Sequence, residues 1–208
     1  MANITLKLRE VSNRIFAGIA PVDKWSMEVR QPVVSYINLK DLKDGGVSVS
    51  KLDLVRVANP DISRYQIKKG DILIACRGAQ PKIGVVQKAL KEFTVTSPNI
   101  ITVRLNEKLN PILLRFYLES SAGNKQLLSK AVISKAQYIL TISALVELEV
   151  PVPPLEIQKQ LIQLLSLMEE QYKFASQATN LRKQIMQNLA FNLMTYDQQH
   201  RRLDEQTK

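Results

Sequence analysis

From Leu161 to Tyr196 the apolar residues keep to one stripe. Leu161, Leu164, Met168, Tyr172, Ala175, Ala178, Leu181, Ile185, Leu189, Leu193 and Tyr196 follow one another at steps of three or four, and ten steps cover 35 residues at a mean of 3.5. That is the period of a left-handed coiled-coil seam. Pro154 suits a first helical turn and Glu156 favours its positive end, so the pattern predicts one helix from Leu155 to Tyr196, ~60 Å long at ~1.5 Å per residue. A helix of that length cannot bury its own stripe. It either folds back on the preceding part of the chain or meets a helix from another chain, and the continuity of the seam over about five heptads favours the second.

The stripe begins just after Val150-Pro151-Val152-Pro153-Pro154, where three prolines remove amide donors and hold the residues before them extended. Charge changes at the same place. Residues 1–150 hold 22 Lys and Arg against 13 Asp and Glu, a net +9, whereas residues 151–208 hold 7 against 6, a net +1. This predicts a domain over 1–150 and a helical segment over 151–208. The first part is then the one to seek an anionic partner, such as nucleic acid or an acidic membrane surface.

The remaining composition narrows the classes. A lone Cys76 excludes a disulfide framework and fits a reducing compartment, and one Cys with one His leaves a structural zinc site without ligands. No stretch approaches the ~18 uncharged apolar residues of a membrane span, so a cytoplasmic protein without a membrane partner is expected. Residues 1–150 read as mixed α/β. Short β-branched runs predict strands at Val33–Leu39, Asp71–Cys76, Ile83–Gln87, Phe93–Thr96, Asn99–Leu105 and Leu145–Val152, with turns at Asp44-Gly45-Gly46 and Lys69-Gly70-Asp71. Pro111 opens a helical pattern, and a second short helix is predicted over Asn124–Leu128.

Catalytic patterns are sparse. His200 is the only histidine and lies in a polar tail, so Ser-His or Cys-His catalysis has nothing to draw on. No glycine-rich phosphate loop occurs. Asn59-Pro60-Asp61-Ile62 lacks the second proline and the aromatic of an amino-methyltransferase motif and reads as a turn. A nuclease needs metal-holding carboxylates beside a lysine, and the one acid placed two residues before a lysine, in Asp41-Leu42-Lys43, precedes Pro60-Asp61.

What remains is a basic surface with groups that read bases. Lys68-Lys69-Gly70-Asp71 leads into a strand, then a loop bearing Arg77, Gln80 and Lys82, then another strand. Arg77 suits guanine O6 and N7, Gln80 suits adenine, and Lys82, Lys68 and Lys69 suit phosphate. A second cluster holds Lys125, Lys130, Lys135, Gln137 and Tyr138, with Lys125 and Lys130 for phosphates and the other three for the target. Read alone, the first set is also what an ordinary solvated hairpin carries, and the second what a helix surface carries.

Together these motifs resemble the specificity (S) subunit of type I restriction-modification systems. The segment from Leu140 to Ile162, with Pro151-Val-Pro-Pro-Leu-Glu-Ile-Gln158 at its centre, looks like that family's junction of last strand, "P-x-P-P-L-x-x-Q" turn and conserved helix. Lys69-Gly-Asp-Ile-Leu-Ile-Ala-Cys-Arg-Gly78 is similar to its "G-D-[IL]-L" strand and Arg-Gly loop. Lys7–Ser12, Tyr36–Leu42 and Pro111–Leu118 agree in kind and order.

The resemblance implies an α+β target recognition domain followed by a long coiled-coil helix that acts as spacer and as platform for methyltransferase subunits. It implies a non-catalytic subunit. Base methylation with S-adenosylmethionine would belong to the modification subunit, and cleavage with ATP and Mg²⁺ to the restriction subunit. Members of the family commonly carry two recognition domains and two helices, whereas this sequence shows one of each. The expectation is a half-length subunit that pairs with itself or with another half through its Leu161–Tyr196 helix. The competing readings are an orphan half-subunit that regulates specificity by binding the modification subunit, and a small nuclease or methyltransferase.

Overall fold

The computed structural model describes residues 4–22, 32–57, 61–134 and 137–205. Asn59, Pro60 and Lys135 lie outside the described residues, as do the side chains of Tyr196 and His200. Chain contacts define two units, Met1–Lys159 and Gln160–Lys208.

The first unit is mixed α/β. Its strands in chain order are β1 (Ile4–Lys7), β2 (Ser12–Ala17), β3 (Val33–Ile37), β4 (Leu42–Lys43), β5 (Gly46–Val47), β6 (Asp53–Arg56), β7 (Ile72–Ala75), β8 (Arg77–Gly78), β9 (Ile83–Val85), β10 (Thr94–Thr96), β11 (Ile100–Leu105), β12 (Val132–Ser134), β13 (Gln137–Ile139) and β14 (Glu149–Val152). Helices α1 (Pro111–Glu119), α2 (Ser121–Lys130) and α3 (Ile142–Leu145) follow β11, and α4 (Leu155–Glu205) begins in this unit and makes up the second.

A six-stranded sheet in the order β2-β11-β7-β9-β5-β4 forms the centre. Its β7 reads Ile-Leu-Ile-Ala with every residue buried, the unbroken apolar run of a strand covered on both faces. Neighbouring β11 is buried from Ile100 to Val103 and pairs antiparallel with both β7 and β2. The core around Phe16, Ile37, Leu73 and Ile100 fills one region; Val34, Tyr36, Val57 and Val95 fill another, on the sheet β10-β3-β6. Two smaller sheets complete the unit, β1 with β14 and β12-β13-β8.

Local chemistry explains the sequence motifs. Asp71 is 1% exposed, yet its carboxylate accepts from the Lys68 amide at 2.7 Å and from the Arg104 guanidinium at 2.8 and 2.7 Å. This bidentate pair raises the Arg104 pKa and lets a buried acid open β7 without an unpaired charge. Gln158 is equally committed. Buried at the start of α4, it accepts from the Asn110 amide at 3.0 Å and donates to the carbonyls of Lys108 and Pro153, both at 2.8 Å. It thus ties the "P-x-P-P-L-x-x-Q" segment to the loop that caps α1, whose first amides are met by the Asn110 side chain.

The expected turn at Asp44-Gly45-Gly46 forms, with φ of 50° at Asp44 and 68° at Gly45. Gly45 is required twice over, because a Cβ there would meet the buried Arg115 guanidinium at 1.5 Å. Both predicted short helices are present, the second longer than expected because Ser120 caps it at Gly123. One expected strand is corrected. Leu145–Val152 is not continuous strand: Thr141 caps a helical turn over Ile142–Leu145, the Leu148 amide returns to the Leu145 carbonyl, and only Glu149–Val152 is extended.

In the second unit α4 runs past the expected end at Tyr196. The seam is exposed along it, Leu164 at 54%, Met168 at 56%, Tyr172 at 78%, Ile185 at 51%, Leu189 at 57% and Leu193 at 75%.

Candidate nucleic-acid interface

The loop from Cys76 to Lys82 leaves β7 and returns as β9. It is closed at its base by the Ala75 amide, which donates to the Lys82 carbonyl at 2.8 Å, and it is held toward β11 by the Cys76 amide, which donates to the Asn99 carbonyl at 2.8 Å. Within the loop Gly78 takes a φ of 148°, open to glycine and strained for other residues. Arg77, Gln80 and Lys82 are all exposed.

The two basic clusters, about sixty residues apart in sequence, meet here. Strand β13 pairs antiparallel with β8, Tyr138 opposite Gly78 and Ile139 opposite Arg77, and the Leu140 amide donates to the Cys76 carbonyl at 2.9 Å. Gln137 is exposed beside the loop. Tyr138 is not available as an outward contact. It is 5% exposed, and its hydroxyl donates to the Ala75 carbonyl at 2.6 Å, so the ring pins β13 to the end of β7. Burial, with the nearby Cys76 as a lesser cause, pushes its phenol up to about 12. Burial likewise raises the Cys76 thiol, against the opposing pull of Arg77.

The other cations are placed differently. Lys68 and Lys69 are exposed at the opposite end of β7, one strand length of ~13 Å from the loop. There they border a shallow hollow with Asn13, Arg104 and Asn106. Lys125 and Lys130 are exposed on α2, whose Leu127 faces the interior, and α2 leads directly into β12. Lys130 also faces an acid. Glu147 is held below the usual carboxylate range first by the Lys7 ammonium, then by Arg9, with Lys130 adding to them.

The pairing of β13 with β8 leaves no signal in the sequence. Its strands are three residues or fewer on each side, too short for a periodicity to register. Among the described residues no group of three or more His, Cys, Asp or Glu is placed to hold a metal ion. No described helix is long and apolar enough to cross a membrane.

The first unit is thus a mixed α/β domain with an exposed loop bearing Arg77, Gln80 and Lys82, and it is followed in sequence by a long helix with an exposed apolar seam. The chain belongs to the family of the type I restriction modification DNA specificity domain, whose profile matches residues 29–181. A protein of Methanocaldococcus jannaschii assigned as the MjaX specificity subunit of a type I restriction enzyme is 28% identical over 134 residues, 62% of this chain and 31% of that protein.

Solved structures share the fold. One chain from work on complex assembly and conformational transition of the type I R-M system superposes with a TM-score of 0.62 at 19% identity, over 85% of this chain and 40% of that one. The HsdS subunit from Thermoanaerobacter tengcongensis gives 0.57 at 20% identity, over 81% and 38%. The S subunit of a type I system from M. genitalium gives 0.52 at 18%, over 82% and 40%. The chain therefore spans 31% of the length of the curated relative and 38–40% of the structural ones.

Proposed function

We propose that this chain reads one segment of double-stranded DNA and directs the modification and restriction subunits of a type I restriction-modification system to it, in the cytoplasm. It performs no chemistry itself; S-adenosylmethionine, ATP and Mg²⁺ are used by those partners. The observation that supports the reading is the pairing of β8 with β13, which brings the exposed Gln137 beside the loop that bears the exposed Arg77, Gln80 and Lys82. Such a set combines base readout by Arg and the amides with phosphate contact by Lys. Lys125, Lys130 and, at the far end of β7, Lys68 and Lys69 add phosphate contacts that fix register. Lys135 belongs to the same segment of sequence as Gln137 and is assigned with it.

The exposed α4 seam supports the second half of the proposal. An apolar stripe with a 3.5-residue period is the surface a second helix covers, and we assign it to pairing with a second copy or another half-subunit. A self-paired chain would present two identical reading surfaces related by a two-fold axis and would read an inverted repeat.

Selection from a randomised duplex library tests the proposal. The full chain, alone and with the modification subunit, is expected to enrich one motif, bipartite and palindromic if the chain self-pairs. A bound pool that matches the input in sequence, retained by charge alone, contradicts it.

A further inference from the structure

Single exposed apolar side chains are ordinary on a protein surface. Val132 and Ile133 are less so: they are consecutive, 62% and 71% exposed, and lie on β12, at the edge of the three-stranded sheet whose far strand carries Arg77. The register sets Val132 opposite Ile139 and Ile139 opposite Arg77. Opposed residues of an antiparallel ladder share a face, and faces alternate along each strand. Val132, Ile139 and Arg77 therefore form one row, and Gln137, two residues before Ile139, joins their face. The opposite face takes Tyr138, which is buried under the sheet, and Ile133 beside it on the edge strand, which is exposed. The Val132 row is thus the outer face, where Arg77 and Gln137 are exposed and Ile139 is half-buried.

This face joins a guanidinium, an amide and a row of branched aliphatic side chains. Its surroundings carry Lys82 on the loop, and neither 76–82 nor 130–139 contains an acid; Lys130, two residues before Val132, faces Glu147. That charge suits a nucleic acid over the added strand of a protein partner. In the major groove of duplex DNA one unmodified base presents an apolar group, the C5-methyl of thymine.

We infer that Val132, supported by Ile139, packs on the C5-methyl of a thymine in the sequence that Arg77 and Gln137 read; the inference rests on the DNA-reading function proposed above. Adjacent strands lie ~4.8 Å apart, so two strand spacings separate Val132 from Arg77 by ~10 Å. With the strand-to-strand direction laid along the duplex axis, ~3.4 Å per base pair puts the thymine about three base pairs from the base that Arg77 contacts.

The test replaces each thymine of the selected duplex, one at a time, with deoxyuridine, which removes only the methyl group. For the wild-type chain, one replacement about three base pairs from the Arg77-dependent position should weaken binding roughly three- to fivefold, the factor for burying one methyl group. Val132→Ala should bind the thymine and deoxyuridine duplexes alike, while Val132→Ile, which keeps the branched surface, retains the difference. Unchanged melting temperatures for both variants exclude a folding effect. The inference is overturned if deoxyuridine is tolerated at every position while a motif is still selected. It is also overturned if Val132→Ala keeps the deoxyuridine penalty, whether or not it loses the modification subunit, because β12 is then no base contact. A pool with no motif instead contradicts the DNA-reading function itself, so the two failures are told apart.

Discussion

The smallest features that decide this protein's behaviour are single side chains around the Cys76–Lys82 loop. Tyr138→Phe leaves the buried Ala75 carbonyl without its donor, and denaturant unfolding should show a loss of about 1–3 kcal/mol. The pH dependence has a definite sign. The phenol is raised from 10.0 to about 12, so its contribution is present below pH 10 and is lost as pH rises through about 12. An ultraviolet titration of the folded chain should accordingly contain a late tyrosine component that Tyr138→Phe removes. On the outer surface Arg77→Ala should relax preference at one base pair by about 1–3 kcal/mol, whereas Lys82→Ala should weaken all sequences alike and lower the salt slope by about one. Competition binding against single-base variants of the selected duplex separates the two. Arg77, Gln80, Lys82 and Gln137 were legible as exposed polar groups because charge and loop composition announce them. Tyr138 was not, since an aromatic residue beside lysines looks the same in sequence whether its hydroxyl meets a base or the Ala75 carbonyl.

Among the elements, the ones with strong local signals emerged from the sequence and the ones built by pairing did not. Strand β7 announces itself as an unbroken apolar run and β11 as a β-branched one, α1 by proline at its first turn and α4 by the proline just before it, both with helical spacing. Strands β8, β12 and β13 have two or three residues each and exist because they hydrogen-bond one another. The stretch before β14 departs from the expected strand for a related reason: Ile142–Leu145 is β-branched at its start, and the Thr141 cap overrides that preference. Gln158 gives the junction motif its physical meaning. Gln158→Ala strips partners from the Asn110 amide and from two carbonyls, and thermal or denaturant unfolding should show a cost of about 2–3 kcal/mol with the α4 seam unaltered. The seam has its own test. Replacing Ile185 and Leu189 together by Asp should abolish self-association in sedimentation at high micromolar concentration, while a wild-type chain that sediments as a monomer there contradicts self-pairing.

For the whole molecule, the proposed function divides the work at the point where the charge of residues 1–150 gives way to the periodicity after Pro154, with DNA assigned to the first part and protein to the second. The net +9 of the first part supplies affinity for phosphate without naming a sequence. In the proposed function naming falls to the small sheet β12-β13-β8, which pairs strands from two distant segments. The most direct measurement is to sequence the duplexes selected from one randomised library by the wild-type chain and by Arg77→Ala, at about 150 mM salt. The wild type should converge on a single motif, and Arg77→Ala should lose information at one position of it while retaining the rest. Identical motifs from the two chains, or no motif from the wild type, would contradict the assignment of this loop as the reading surface.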